Sequence, residues 1–172
     1  MSHGKRATPL RTARARVVVG AIAATVALLL AACTTTLSRE ELATEYYNIG
    51  SAYFDLGELE KSATYLARAI ELSPNLARGS YNLARVYVLQ ERYDEALALL
   101  DRLLIEDPDN SLVIETIAYA HYAAGDLERA AAWYARAEQE NPTDPDLLRN
   151  RATVAREMGD VDAALDALHR AS

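Results

Sequence analysis

The chain has 172 residues, of which 51% are hydrophobic and 25% charged, a composition typical of one globular domain. Its single cysteine excludes an internal disulfide and any metal site built from several cysteines. The net charge of −7 argues against nucleic acid as a partner, because phosphate binding needs a basic surface.

The amino-terminal segment differs in composition from the rest of the chain. Residues 1–32 hold five basic side chains and no acidic one, whereas residues 33–172 hold the remaining 13 of the 18 basic residues and all 25 acidic ones. Residues 17–32 are uncharged and mostly apolar, and as a helix they would measure about 24 Å, shorter than the roughly 30 Å core of a bilayer. A basic start, a short apolar run and small residues at its end predict a secretory signal peptide.

The junction at Cys33 makes this prediction more specific. Leu30-Ala31-Ala32-Cys33 resembles the lipobox of bacterial lipoproteins, in which the cysteine sulfur receives a diacylglyceryl group and the signal is cut before it. The resemblance implies a signal peptide over 1–32, a lipidated Cys33 and a short linker over 33–42. Thr34 follows the cysteine, where enteric bacteria use aspartate for inner-membrane retention, so the outer membrane, facing the periplasm, is favoured. The alternative is an inert, buried Cys33 thiol at the end of an uncleaved anchor helix.

The remainder of the chain is organised by a 34-residue period. Three prolines lie at this spacing, at 74, 108 and 142, and three glycines do so at 57, 125 and 159, with Glu91 in the missing place. Small residues form a third series on the same period: Ser62, Ala96, Ala130 and Ala164. A fixed period of this length predicts a repeat architecture.

The sequence of each repeat predicts two helices. In the first unit apolar and aromatic residues recur at helical spacing over 46–54 and again over 59–70, and Gly57 separates the two runs. Glycine provides a left-handed cap after the first helix, and proline ends the second. Ser38-Arg39-Glu40-Glu41 predicts a capping box that opens the first helix, and Asp144-Pro145 predicts a capped start later in the chain.

The motifs that recur in these units resemble the tetratricopeptide repeat. The second unit illustrates the match, with Tyr81-Asn82-Leu83-Ala84, Tyr87, Arg92-Tyr93-Asp94-Glu95-Ala96 and Pro108. The resemblance implies an all-α, right-handed α-solenoid of about four helix-turn-helix units over residues 43–172. The unit boundaries that it predicts are 43–76, 77–110, 111–144 and 145–172, the last of them partial.

The fourth unit departs from the pattern. Arg151 and Ala155 stand where the other units place a large apolar or aromatic residue, and the sequence stops at Ser172 before a closing proline. Terminal repeats are often atypical because one face meets water. We expect this unit to be more loosely packed than the others, or the sequence to be truncated there.

The resemblance implies that ligands lie along a concave wall built mainly from the first helix of each unit. Tyr81 and Arg85, four residues apart, are expected to project into the middle of this groove and away from the core. Tyr and Arg are enriched at binding hot spots. The candidate protein-binding residues are Tyr47, Asn48, Ser51, Phe54, Arg78, Tyr81, Asn82, Arg85, Val88, Tyr119, Tyr122, Arg149 and Asn150.

Other interpretations of these residues stay open. The tyrosines of the groove could instead pack between helices, as Tyr53, Tyr87 and Tyr134 are expected to do. The recurring Asn48, Asn82 and Asn150 could hydrogen-bond a peptide or cap local structure. One tetratricopeptide subclass clamps the terminal carboxylate of its ligand. That clamp is not predicted here, because other residues occupy the positions of its lysines.

No catalytic, metal or cofactor site is predicted. His121 takes a place that Tyr53 and Tyr87 fill in other units, which predicts a core substitution. Acid pairs such as Asp107 and Asp109 lie at helix starts, where carboxylates complement the helix dipole. The sequence therefore favours a protein that is not an enzyme.

The predicted function is that of a lipid-anchored scaffold or adaptor in the bacterial cell envelope, which binds a protein or peptide in its groove. The architecture is similar to that of pilotin-type repeat lipoproteins, which assist pilus or secretion machinery at the outer membrane. The alternative is a carrier of a small hydrophobic ligand that serves a solute transporter. An activator of a cell-wall enzyme is not distinguished from the adaptor by sequence.

Overall fold

The computed structural model describes residues 37–172, and the predicted signal peptide and Cys33 lie outside the described residues. The described part is all-α, with eight helices and no strand, which confirms the predicted fold class. In chain order the helices are α1 (Arg39–Asp55), α2 (Leu59–Leu72), α3 (Ala77–Leu89), α4 (Tyr93–Glu106), α5 (Ser111–Ala123), α6 (Leu127–Glu140), α7 (Pro145–Glu157) and α8 (Val161–Arg170).

The helices begin where capping side chains satisfy their first amide groups. Ser38 Oγ accepts from the Glu41 amide at 3.1 Å, and the Ser38 amide donates to Glu41 Oε2 at 2.7 Å, which confirms the predicted capping box. Asp144 Oδ1 accepts from the amides of Asp146 and Leu147, with Pro145 as the first helical residue. The sequence predicts a short linker over residues 33–42. Because α1 begins at Arg39, residues 39–42 of that segment are helical.

A left-handed residue joins the two helices of each unit. Gly57, Gly125 and Gly159 have φ of 74°, 81° and 83°, and Glu91 takes the same conformation with φ of 61°. Glycine reaches this region without strain, whereas a residue with a Cβ does so at a cost of about 1–2 kcal/mol. The glycine series in the sequence therefore marks the four interhelical turns, and the second of them is strained.

Replacing Glu91 with glycine should stabilise the protein by about 0.5–1 kcal/mol, because relief of the strained φ exceeds the added entropy of the unfolded chain. The measurement is the free energy of unfolding from urea denaturation. The matched substitution Gly125→Ala should destabilise by about 1 kcal/mol, although a Cβ there would meet nothing within 4 Å. A destabilised Glu91→Gly variant would contradict this account of the turn.

The core lies between successive units. Three clusters of buried side chains fill the three interfaces between neighbouring units, and the largest members are Leu66 and Leu83, then Leu100 and Ile117, then Tyr134 and Leu147. Each helix packs on the next one along the chain, and α3 also contacts α1 and α5. The first helices of the first three units therefore lie side by side and form one wall of the array.

The small-residue series marks a close approach of the two helices within each unit. Ser62, Ala96 and Ala130 are fully buried, and Ser62 Oγ donates to the Gly50 carbonyl at 2.8 Å. A Cβ at Gly50 would lie 2.7 Å from Leu66 Cγ and 3.0 Å from the Leu66 backbone nitrogen. α1 and α2 are thus packed at a distance that only glycine permits.

Arg151 does not loosen the fourth unit in the way expected of it. Its guanidinium contacts Glu138 Oε2 on α6 at 2.7 Å, and Arg170 pairs with the other oxygen of the same carboxylate. Leu147, Leu148 and Val154 of α7 are buried. The loss of cover is confined to α8, where Leu168 is 47% exposed although its counterparts Leu66 and Leu100 are 0% exposed.

Candidate functional site

A cavity of about 310 Å³ opens in the wall formed by the first helices, and we call it the central pocket. All four units contribute to it through α1, α3, α5 and α7, and Tyr134 of α6 lies at its floor. Leu89, Leu112 and Tyr119 at its rim are exposed, so the pocket is open to solvent. Its lining is Phe54, Tyr81, Arg85, Val88, Leu89, Leu112, Glu115, Thr116, Tyr119, Tyr134 and Asn150.

A second cavity of about 310 Å³, the side pocket, adjoins the first. The two cavities share Tyr81 and Leu112 in their linings, and the side pocket extends from there to Arg78 and to Glu106 and Asp107 of α4. We call the two cavities together the groove. A pair of connected open cavities suits an elongated ligand better than an enclosed small molecule.

Two arginines of α3 lie on aromatic rings of the groove. The Arg78 guanidinium carbon is 4.5 Å from the centroid of the Tyr47 ring, and that of Arg85 is 4.6 Å from the Phe54 ring and 5.9 Å from the Tyr81 ring. Among the described residues, neither arginine has a carboxylate oxygen within 4.0 Å. Both guanidinium groups are held in place while their charge is left unneutralised.

Hydrogen bonds between neighbouring first helices hold the wall together. Asn82 Nδ2 donates to Tyr47 Oη at 3.3 Å and to Ser51 Oγ at 3.2 Å, which joins α3 to α1. The Tyr81 and Thr116 hydroxyls lie 3.1 Å apart and join α3 to α5. These polar side chains therefore serve the scaffold, which fixes the positions of the groove residues beside them.

The far side of the central pocket is acidic. Burial raises the pKa of the Glu115 carboxyl, and the negative charges of Asp144 and Asp146 raise it further. Tyr122, also on α5, donates from Oη to Glu157 Oε1 at 2.7 Å. In the central pocket α3 thus contributes the cation of Arg85 and α5 contributes the carboxyl group of Glu115.

Glu115→Gln should raise the melting temperature at neutral pH. A carboxyl whose pKa is higher in the folded state folds most favourably when protonated, so its ionisation costs stability as pH rises through the folded pKa. Below the ordinary value of 4.5 both states are protonated, and the advantage of the variant should disappear. Thermal melts from about pH 3.5 to about pH 8 test this expectation. Glu45→Gln, at an exposed position of α1 outside the groove, is the control. A gain that is independent of pH would contradict it.

The structure brings six of the predicted binding residues together in the central pocket: Phe54, Tyr81, Arg85, Val88, Tyr119 and Asn150. Arg78 lines the side pocket, and Tyr47, Ser51 and Asn82 form the hydrogen-bonded network behind it. Tyr122 is bonded to Glu157, Arg149 pairs with Asp146 on its own helix, and Asn48 is exposed outside both pockets.

Tyr81 differs from its sequence-based expectation, and Tyr134 has a second role besides the expected one. Tyr81 was expected to point away from the core, but its ring packs partly against the cluster that contains Leu100. Tyr134, expected to be core, is 1% exposed and also forms the pocket floor, a role that its repeat position does not indicate. His121 is buried as predicted, and burial lowers its pKa.

Residues 37–172 contain no group of three or more metal-ligating side chains close enough to hold an ion. Within the same range, no helix is both long enough and apolar enough to cross a bilayer.

Stacked helical pairs with a concave groove define the class of helical-repeat interaction scaffolds. The family model described as "Tetratricopeptide repeat" matches residues 47–111 and 117–145, more than half of the chain. The chain belongs to the tetratricopeptide repeat family. Proteins of this family are generally non-catalytic scaffolds for protein interactions.

Two relatives match at the level of sequence. An uncharacterized lipoprotein of Treponema pallidum (strain Nichols) is 31% identical over 93 residues, which are 54% of this chain and 47% of the relative. BBSome complex member BBS4 of Xenopus tropicalis is 29% identical over 118 residues, 69% of this chain and 23% of the relative. The chain thus spans about half of the first relative and a quarter of the second.

Solved structures agree with the fold. MamA of MSR-1 has a TM-score of 0.64 at 25% identity, with 77% of this chain and 74% of that chain covered. MamA of Desulfovibrio magneticus RS-1 has a TM-score of 0.70 at 19% identity, covering 75% and 73%. A thermophilic tetratricopeptide protein of Thermus thermophilus has a TM-score of 0.66 at 24% identity, covering 75% and 72%. The last two establish the fold alone.

Proposed function

We propose that the protein is a lipid-anchored scaffold of the bacterial cell envelope that binds a segment of another protein in its concave groove. In this role it assists the assembly of an envelope complex of the pilus or secretion type. The observation that carries the proposal is the groove itself, in which aromatic rings and unneutralised arginines line an open surface across all four units. Such residues dominate the energetics of protein interfaces.

The shape of the groove favours a peptide over a small hydrophobic molecule. A carrier is expected to enclose its ligand, burying most of the ligand's surface in an apolar pocket. Here the rim residues Leu112 and Tyr119 are 56% and 44% exposed, and charged Arg85 and Glu115 face the same cavity. These features support a ligand that continues beyond the pocket and has polar groups of its own.

The membrane anchor is proposed from the sequence and from one relative. The lipobox-like Leu30-to-Cys33 junction supports lipidation of Cys33, and the lipoprotein of Treponema pallidum supports association with the envelope. A chain held by two or three acyl groups stays on its membrane, at about 0.8 kcal/mol per buried CH₂. The outer membrane, facing the periplasm, is the proposed site because Thr34 follows the cysteine.

The groove is tested by quantitative capture from an envelope extract on the immobilised full chain. Arg85→Ala combined with Tyr119→Ala should weaken capture of the specific partner at least tenfold, equivalent to about 1.4 kcal/mol. Tyr119 is chosen instead of Tyr81, because truncating Tyr81 would also remove packing from the core. Arg102→Ala on α4 is the control and should bind normally. Unchanged capture by the double variant, or capture of lipids alone, would contradict the proposal.

The anchor is tested separately by Cys33→Ser in cells fed a labelled fatty acid. Removing the sulfur should abolish lipid labelling and leave the protein unprocessed or released from the membrane. Normal cleavage and labelling of the variant would show that Cys33 is not the acceptor.

A further inference from the structure

Arg85 is one of the arginines of the described region that have no carboxylate partner, and it lies in the central pocket. Arg92, Arg129 and Arg149 each pair with an acidic residue three positions away, whereas Arg85 has no carboxylate within 4.0 Å in residues 37–172. Its guanidinium carbon lies over the Phe54 and Tyr81 rings, at 4.6 Å and 5.9 Å from their centroids. The protein thus holds a cation in the groove without neutralising it.

A guanidinium held on ring faces is prepared to bind a carboxylate. Stacking fixes the plane of the group and leaves the N–H donors at its edge free, and these donors match the two oxygens of a carboxylate. Because the side chain is already oriented, less rotational entropy is lost when a ligand binds. An acidic side chain of a partner is therefore the group that complements Arg85.

The residues beside Arg85 indicate which kind of partner residue would lie next to that acidic side chain. Val88 and Leu89 lie one turn further along α3, and Leu112 and Tyr119 face them from α5. Together with the Tyr134 floor they form an apolar surface next to the guanidinium. A large apolar side chain of a partner, such as Leu or Phe, would be removed from water there and would act as an anchor of the interface.

The remaining charges of the groove restrict where an acidic group can bind. Glu115 disfavours a second negative charge on the α5 side of the central pocket, and Glu106 and Asp107, which line the side pocket with Arg78 but lie beyond ion-pair distance of it, disfavour one there. Arg85 is thus the position at which the groove selects for an acidic group. We propose that the groove recognises a peptide segment in which an acidic residue, bound by Arg85, adjoins a large apolar residue in the central pocket; this rests on the proposed function.

A displayed library of random ten-residue peptides, selected on the full chain in detergent, tests the inference. The wild-type protein should enrich Asp or Glu beside Leu, Ile, Met, Phe or Trp at least tenfold over the starting library. Arg85→Glu should lose this preference and enrich Lys or Arg beside the same apolar residues. Arg102→Glu, an equal change of charge on the outer face, should retain the wild-type preference.

The outcomes separate the inference from the function on which it rests. Peptides that are enriched on the wild-type protein without a charge preference, or with the same preference on Arg85→Glu, would overturn the acidic-apolar motif and leave peptide binding intact. If the wild-type protein enriches no peptide, both the inference and the proposed binding function are contradicted. Circular dichroism of each variant confirms that the comparison is made between folded proteins.

Discussion

Leu100→Ala is expected to lower the free energy of unfolding by about 2–5 kcal/mol. Leu100 is 0% exposed and belongs to the cluster between the second and third units, so its truncation leaves a cavity in closely packed surroundings. Repeat arrays gain their stability from such interfaces between neighbours, which makes this position important for the whole array. Urea denaturation followed by circular dichroism provides the measurement.

Leu168→Ala is the matched control, because residue 168 takes the place of Leu100 two repeats later. Leu168 is 47% exposed, so its truncation removes little burial and should cost about 1 kcal/mol or less. Hydrogen exchange should correspondingly show weaker protection over 161–170 than over 77–140. Equal losses at the two positions would mean that a partner, a second copy or further chain covers α8.

Gly50→Ala is expected to destabilise the protein by about 1–2 kcal/mol, although alanine is the better helix former by about 1 kcal/mol. The added methyl would lie 2.7 Å from Leu66 Cγ and 3.0 Å from a backbone nitrogen of α2, and the backbone cannot move aside as a side chain does. The shift in the midpoint of thermal or urea unfolding measures the loss.

Gly79→Ala provides the comparison for this crowding. A Cβ at Gly79 would meet only the side chains of Ile70 and Leu76, at 3.1 Å, and these can adjust their rotamers. Its stability should remain within about 1 kcal/mol of the wild type. If Gly50→Ala were equally tolerated, α1 and α2 would be less closely packed than the structure places them.

The fold was predictable from sequence because its determinants are local. The glycines that end the first helices and the prolines that follow the second act through φ and the missing amide, and they recur every 34 residues. The start of α1 is likewise local, since Ser38 and Glu41 form the capping box. The 34-residue period places the start of the first unit at residue 43, later than the start of α1 at Arg39, because the period covers only the consensus part of a unit.

The parts that sequence could not predict depend on packing between units. Glu138, on a helix of the preceding unit, pairs with Arg151 and neutralises its charge. Because this contact lies between units, the sequence pattern overstated how far Arg151 would loosen the fourth unit. Tyr134 lies at the floor of the groove only because of the way that α6 packs behind α5 and α7. Asn82 and Tyr47 were candidates for ligand contact, but each is bonded to the other across two helices.

The central claim, that the concave groove is the protein-binding surface, is tested most directly by photo-crosslinking in cells. A photoreactive amino acid at Leu112, which lines both pockets, should give a defined protein adduct that disappears when Arg85→Ala and Tyr119→Ala are added. The same amino acid at Ile105, an exposed apolar residue at the end of α4, should give no such adduct. Equal adducts at both positions, or an adduct at Ile105 alone, would contradict the assignment of the binding surface to the groove.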